Sequence, residues 1–588
     1  MTHRRHPFVL ALAMALLLAA LPALAHDGRA IQGGTPMRHG GQILADQLRI
    51  LGATRAFSVP GESFLALLDG LHDGGIQNVV CRHEGGAAMM AEAHGKLTGL
   101  PGLCLVTRGP GATNASAGVH VARQDSTPMI LLVGQIERGH RDREAFQEVD
   151  FRAMFAPLAK WAAEIDATER IPEYIHRAWS VALSGRPGPV VLSLPEDMLS
   201  AEAEVPDRPA PARRPAPDWS GPAREALAIL ADARRPLVVV GGPHWSQGAA
   251  DDLARLAEAQ GLPVACGFRR QDFLDNAHPH YAGDLNVAAS PGLARAVREA
   301  DALLLLGTRL GDIETGGYAL LDPAGPGKRI VHVHPDPDEP GRVWPAGLAV
   351  TAPAPGFVAA LAALPPAGGD RGEWVREARA GFEAWSTPRE TPGAVRQEAV
   401  VAWLSDNLPP DAILTNGAGN FAAFLHRYYR WRQFGTQLAP TSGSMGYGVP
   451  AAIAASLQHP GRTVVCVAGD GDMQMTVNEL STARQHGAAP IILVFNNGRF
   501  GTIRMHQERT YPGRVSGTDL LNPDFAALAR AYGGHGETVR AQGEFGPAFE
   551  RARGAGVVAV IDCKLDPEAL TPGQTLAEAR AQGMGRAG

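Results

Sequence analysis

In VVCVAGDGDMQMTVNELSTARQHGAAPIILVFNN (464–497) an apolar run stops at Asp470, framed by Gly469 and Gly471, and a second stops at Asn496 and Asn497. Read as strand, crossover helix and parallel strand, the segment puts a carboxylate and a carboxamide, 27 positions apart, on one sheet edge. That is the edge where open α/β sheets bind ligands. The glycines let backbone amides turn toward an anion, and the following helix adds the donors of its N-terminus. A carboxylate, an amide oxygen and a nearby backbone carbonyl are hard donors that suit an octahedral Mg²⁺, with diphosphate oxygens and water at the other positions. The pattern therefore predicts a metal held at Asp470 and Asn497, and a diphosphate held by the metal. GDGDMQ does not fit the G-x-G-x-x-G fingerprint of a dinucleotide fold.

Other strand ends carry chemistry of the same kind. NGAGNFA (416–422) follows a strand, and its small residues let amides approach phosphate. SGSMGYGVPAA (442–452) sets Met445 among glycines, as a wedge against a ligand or as core packing. VVCRHEGGAAMMAEAHGKLTG (79–99) ends a strand on Glu84 and then turns helical. Gly85, Gly86, Ala87 and Ala88 leave room for a planar ring, and a carboxyl group there can share a proton with a ring nitrogen. An isolated acid at that place would simply favour a helix N-terminus. RGPGATN (108–114) is a further glycine-rich strand end, lining the same cleft or forming a plain turn.

These residues need sheets to carry them. The chain of 588 residues is too long for one core. Proline-rich breaks at 204–218 and 364–393 divide it into blocks at 37–203, 219–363 and 394–572, with a tail at 573–588. Each block alternates short β-rich runs with helical patterns: NVVC, GLCLVT and MILLVG in the first, PLVVVGG, ALLLLG and RIVHVH in the second, AILTNG, TVVCVAGD, PIILVFNN and VVAVIDC in the third. The expected fold is three doubly wound parallel α/β domains. A net charge of −6 gives no electrostatic case for nucleic acid. The five scattered cysteines form no disulfide framework, which favours a cytoplasmic body. Residues 1–36 argue the other way: MTHRRHPFVLALAMALLLAALPALA has the grammar of an export signal, although a membrane anchor, or translation from Met37, would also explain it. His332 and His334 alternate along a strand end with no third metal ligand in view.

GDG followed by NN at this spacing resembles the thiamine diphosphate motif of the 2-oxo acid decarboxylase and carboligase superfamily. From Met37 onward nearly the whole chain is similar to the acetolactate synthase large-subunit branch. The resemblance implies a pyrimidine-binding, a central and a diphosphate-binding domain, in that order. It implies that Asp470, the Asn497 side chain and the Arg499 carbonyl bind Mg²⁺. Gly417, Ala418, Gly419 and Asn420, with Gly469, Gly471 and Asp472, would contact the cofactor. The Gly443 carbonyl would accept from its aminopyrimidine, and Met445 would hold it bent. RHE-x-GA implies that Glu84 activates the pyrimidine from a second subunit, so a homodimer or homotetramer is expected; a regulatory subunit is left open. The implied reaction is decarboxylation of a pyruvate-like 2-oxo acid with carboligation. Simple decarboxylation or carbon–carbon lysis is the alternative, and an exported cofactor-binding protein without turnover a further one.

AFQE (145–148) matches a short signature of that branch, making Phe146 and Gln147 substrate candidates unless the segment merely begins a helix. Glu196 stands where the branch has a lysine, Gly85 where it has a glutamine, and Met505 and His506 where a Gln-Trp pair is expected. Those departures change charge and shape in the substrate channel and count against a branched-chain biosynthetic role; His506 is an acid/base candidate or a polar lining residue. The branch also binds FAD across its central domain. VVVGGPHWSQ (238–247) and LGTRLGD (306–312) keep a nucleotide-like outline without a decisive fingerprint, so FAD is left undecided.

Overall fold

A computed structural model describes residues 36–212, 217–287 and 289–587; the leader, on which the export reading falls, lies outside these except for residue 36. Three six-stranded parallel sheets form the body. The first holds Arg55–Ser58, Gln77–Val80, Gly102–Val106, Met129–Gln135, Trp161–Glu164 and Pro189–Pro195, arranged 2-1-3-4-6-5 in chain order. The third holds Ile413–Asn416, Gln437–Leu438, Val464–Gly469, Ile491–Asn496, His535–Val539 and Ala559–Lys564, in the same arrangement. The middle sheet, Pro236–Val240, Val264–Cys266, Tyr281–Asp284, Ala302–Leu306, Arg329–His334 and Leu348–Thr351, runs 3-2-1-4-5-6, the order of dinucleotide-binding folds.

The apolar runs are buried on both faces because helices cover both sides of a parallel sheet. Val464–Gly469 and Ile491–Asn496 are buried at every position. Strands without a continuous apolar run escape a reading by hydrophobicity. Trp161–Glu164 and His535–Val539 lie at sheet edges and are mostly half-buried, so their sequences WAAE and HGETV need no apolar face. The crossover after Asp470 is also less regular than expected. It begins as a short helix, Asp470–Gln474, passes through a 3₁₀ turn at Val477–Glu479, and ends as Leu480–His486.

The break at 364–393 contains a helix, Gly372–Ser386, that packs on the middle domain. At its start Arg371 donates to the carbonyls of Leu230, Ala231, Ala233 and Gln260. The tail forms the helix Leu576–Ala587 against Gly501–Thr510, sealed by Met505, Leu570, Leu576 and Ala579 and by the Arg580–Glu508 ion pair.

The helix Glu84–Thr98 of the first domain lies on Gly448–Gln458 of the third, and their buried alanines belong to one core cluster. A buried polar network runs beside this contact. Glu92 accepts from Tyr447 Oη and Thr127 Oγ1, both at 2.6 Å, and pairs with Lys96 at 3.2 Å. Lys96 pairs with Asp125 at 2.8 Å; Asp125 accepts from Thr441 N–H and Oγ1 and faces Arg270 at 3.6 Å. All three domains contribute to it.

Candidate active site

Parallel pairing of Gly469 with Phe495 places Asp470 and Asn497 just past the ends of adjacent strands. Asn416 pairs with Val467, which brings Gly417 to the same edge, at the point where the strand order reverses. Around this edge lies a cavity of about 220 Å³ lined by Ala418 to Asn420, Gly443, Met445, Gly469 to Asp472, Asn497 and Arg499. The structure thus brings together all the predicted metal and cofactor residues except Gly417, which sits directly behind the wall: a Cβ there would collide with the Asp472 carboxylate. Glu84, Phe146, Gln147 and His506 lie elsewhere.

Asp470 is 3% exposed and has only neutral partners: Gly471 N–H at 3.0 Å on Oδ1, with Gly498 N–H at 2.8 Å and Asn522 Nδ2 at 2.7 Å on Oδ2. Burial pushes its pKa up. A buried carboxylate without a cationic side chain leaves a charge for a cation to balance. Among the described residues no three His, Cys, Asp or Glu side chains cluster as a metal site. A cation here would be a hard one, taken by one carboxylate, the Asn497 amide oxygen and backbone carbonyl oxygen. Asn497 Oδ1 already accepts from Arg499 N–H at 3.2 Å, which folds the amide onto its own loop. That loop is pinned by Leu520 N–H to the Gly498 carbonyl and Phe500 N–H to the Thr518 carbonyl.

Asn522 was not visible in the sequence pattern. It lies 25 residues beyond Asn497 in LNPDF, with no motif around it, yet it bridges Asp470 and Asn496. Asp472 holds the cradle together: it accepts from Gly446 N–H at 2.8 Å and Ala418 N–H at 3.3 Å, and burial pushes its pKa up to about 7. Asn420 N–H is directed at Thr502 Oγ1, 2.9 Å away. The buried atoms Asn416 Oδ1 and Ser442 Oγ have no hydrogen-bond partner among the described residues. Met445 is half-buried in the cavity wall, and Gly443, with φ +67°, has open space where a side chain would be.

Glu84 sits at the carboxyl edge of the first sheet, as the first residue of its helix, accepting from Asn114 Nδ2 at 2.9 Å. Among the described residues, none from the first domain lines the cavity at Asp470. The segment 108–114, which turns at Gly109 into the helix Pro110–Asp125, separates Glu84 from the AFQE segment: a Cβ on Gly111 would lie 3.6 Å from Glu84, and one on Gly109 2.8 Å from Gln147. AFQE is no helix start; it is a loop in which Glu148 accepts from Asp142 and Ala145 N–H, Phe146 is 73% exposed, and Gln147 holds φ +66°, a conformation costly for a side-chain-bearing residue. Arg108 ties this loop down, binding the Phe146 carbonyl, Glu196 and Glu62. Glu196 therefore serves as the partner of Arg108. His506 lines an adjoining hollow that shares Asn420 and Thr502 with the cavity at Asp470.

The middle sheet has its own strand-end crevice at Gly241, Gly307 and Thr308. There the Glu314 carboxylate accepts from Phe268 N–H at 3.1 Å, Gly311 N–H at 2.9 Å and Thr308 Oγ1 at 3.0 Å. His332 Nε2 bonds the Thr308 carbonyl and His334 Nδ1 accepts from Asp336 N–H, so both histidines are engaged within the fold.

Family models match the chain in the order of its sheets: the thiamine pyrophosphate enzyme N-terminal TPP binding domain over residues 38–154, the central domain over 223–361 and the C-terminal TPP binding domain over 417–563. The acetolactate synthase isozyme 2 large subunit of Escherichia coli (strain K12) is 31% identical over 506 residues, covering 85% of this chain and 91% of that protein. The acetolactate synthase large subunit of Parasynechococcus marenigrum (strain WH8102) is 32% identical, over 84% and 82% of the two chains. That of Corynebacterium glutamicum is 31% identical, over 87% and 84%.

Proposed function

The chain belongs to the thiamine pyrophosphate enzymes, in a family that includes the acetolactate synthase large subunits, and on that premise we propose that it decarboxylates a 2-oxo acid such as pyruvate and joins the remainder to a second carbonyl compound. Bound thiamine diphosphate supplies the electron sink for the pair released with CO₂. The chain's own residues supply the rest. Asp470, with Asn497 and the Arg499 carbonyl, would hold Mg²⁺. Gly417 to Asn420 with Gly469, Gly471 and Asp472 would form the diphosphate cradle, while Gly443 and Met445 position the aminopyrimidine. Glu84 would hold the proton shared with the cofactor's ring nitrogen. The observation that carries this reading is the buried Asp470 carboxylate with neutral partners only, at the point of strand-order reversal.

Because the cavity at Asp470 has no first-domain wall, Glu84 would reach the cofactor from a second copy of the chain, in a homodimer or homotetramer. Against FAD at the middle-domain crevice counts Glu314, whose carboxylate already takes the Phe268 and Gly311 amides there. The test is purified protein with thiamine diphosphate, Mg²⁺ and pyruvate, scored for CO₂ and for products by mass spectrometry. A ligated product is expected. CO₂ with free aldehyde alone would mark the non-ligating alternative, and no cofactor uptake in calorimetry would overturn the reading.

A further inference from the structure

The site extends in a direction that the cofactor does not need. A cavity of about 510 Å³ shares Gly419, Asn420, Gly443 and Thr502 with the cofactor cavity. Through Asn286, Val287 and His426 it continues into a second cavity, of about 730 Å³, between the middle and third domains. Such volumes take ligands much larger than a three-carbon oxo acid.

The lining of the second cavity includes Arg389, Arg427 and Arg509, with His506 beside them, and one carboxyl group, Asp284. Asp284 is a weak counter-charge: it is held by Gln271 Nε2 and Asn286 Nδ2, both at 3.1 Å, and burial pushes its pKa up to about 7. Arg427 lies flat on the Trp385 ring, 3.6 Å from its centroid, with Nε donating to the Trp385 carbonyl at 2.7 Å. It has no carboxylate partner among the described residues. Burial lowers the Arg427 pKa, and Arg389 lines the same hollow. Arg509 binds Gln574. Two guanidinium groups lining one hollow suit a carboxylate or phosphate.

We propose that this hollow is the acceptor site, and that the acceptor carries an anionic tail several bonds from its carbonyl, read by Arg427 and Arg389. The assignment rests on the carboligase reading above. In the step it serves, one carbon–carbon bond breaks as CO₂ leaves the donor, and one forms to the acceptor carbonyl carbon. The acceptor oxygen takes up one proton, and no oxidant is consumed.

The test uses the holoenzyme with Mg²⁺ and pyruvate, comparing succinic semialdehyde (distal carboxylate), glyceraldehyde 3-phosphate (distal phosphate) and butanal (no charge) as acceptors. At least one anionic acceptor is expected to exceed butanal in kcat/KM by about tenfold or more, and which one does so identifies the tail. Arg427→Gln and Arg389→Gln are each expected to narrow that ratio about tenfold, mainly through KM. Arg389 is exposed, so its variant gives a folded protein if loss of the Trp385 stack unfolds the other. Butanal equal to or better than both anionic acceptors, or an unchanged ratio in the folded variants, overturns the acceptor assignment alone. Absence of CO₂ from pyruvate with every acceptor overturns the carboligase reading on which it stands.

Discussion

The middle and third domains build crevices of the same kind, at the reversal point of a parallel sheet, and end them differently. In the third, the residue after the strand is a buried acid that faces neutral donors and an open cavity. In the middle one, an acid from the following loop folds back and takes the donors itself. A strand-end crevice is thus only a potential ligand site; the nearest carboxylate decides whether it calls for a cation or satisfies its own amides.

Asp470→Ala should erase the first half of that contrast, weakening thiamine diphosphate binding by about 100-fold or more in calorimetry with Mg²⁺ present. Glu84→Gln should separate chemistry from binding: turnover falls by about 10²–10⁴-fold while the calorimetric affinity stays within a few-fold. Glu314→Ala should make the middle crevice behave like the third, by freeing its donors. ADP binding, followed by calorimetry, is expected to rise about tenfold; no gain would show that the crevice is closed by shape instead. The smallest effect concerns Asp284, whose folded-state pKa is raised to about 7. The folded form keeps a proton that the unfolded chain loses near pH 4, so this group's contribution to stability declines as pH rises from about 4 to 7. Asp284→Asn should therefore flatten the Tm-versus-pH curve across that window and raise Tm above it.

Legibility followed burial and locality. TVVCVAGD and PIILVFNN announce their strands because both faces are covered, and the acid and amide that end them fall on one edge for purely topological reasons. Asn522 was illegible because it reaches Asp470 through a loop that no period or motif marks. Glu314 was illegible for a similar reason: LGTRLGD reads as a nucleotide loop, and nothing in IET tells that the glutamate turns back onto it. Phe146 and Gln147 were found by signature, but their loop is defined by Arg108, quoted only as part of a glycine-rich turn.

The buried network of Glu92, Lys96, Asp125, Thr441, Tyr447 and Arg270 bears on whether the three domains are separable modules. Expressed alone, the first domain would retain Glu92 and Asp125, both fully buried in the intact chain as side chains, but would lose the Tyr447 hydroxyl, the Thr441 amide and the Arg270 guanidinium that help satisfy them. Stripping partners from sequestered charges costs about 3–5 kcal/mol, a large part of a domain's entire margin. The expectation is that fragments cut at either proline-rich break are poor autonomous folders, and that complementation succeeds only when all three pieces are supplied together.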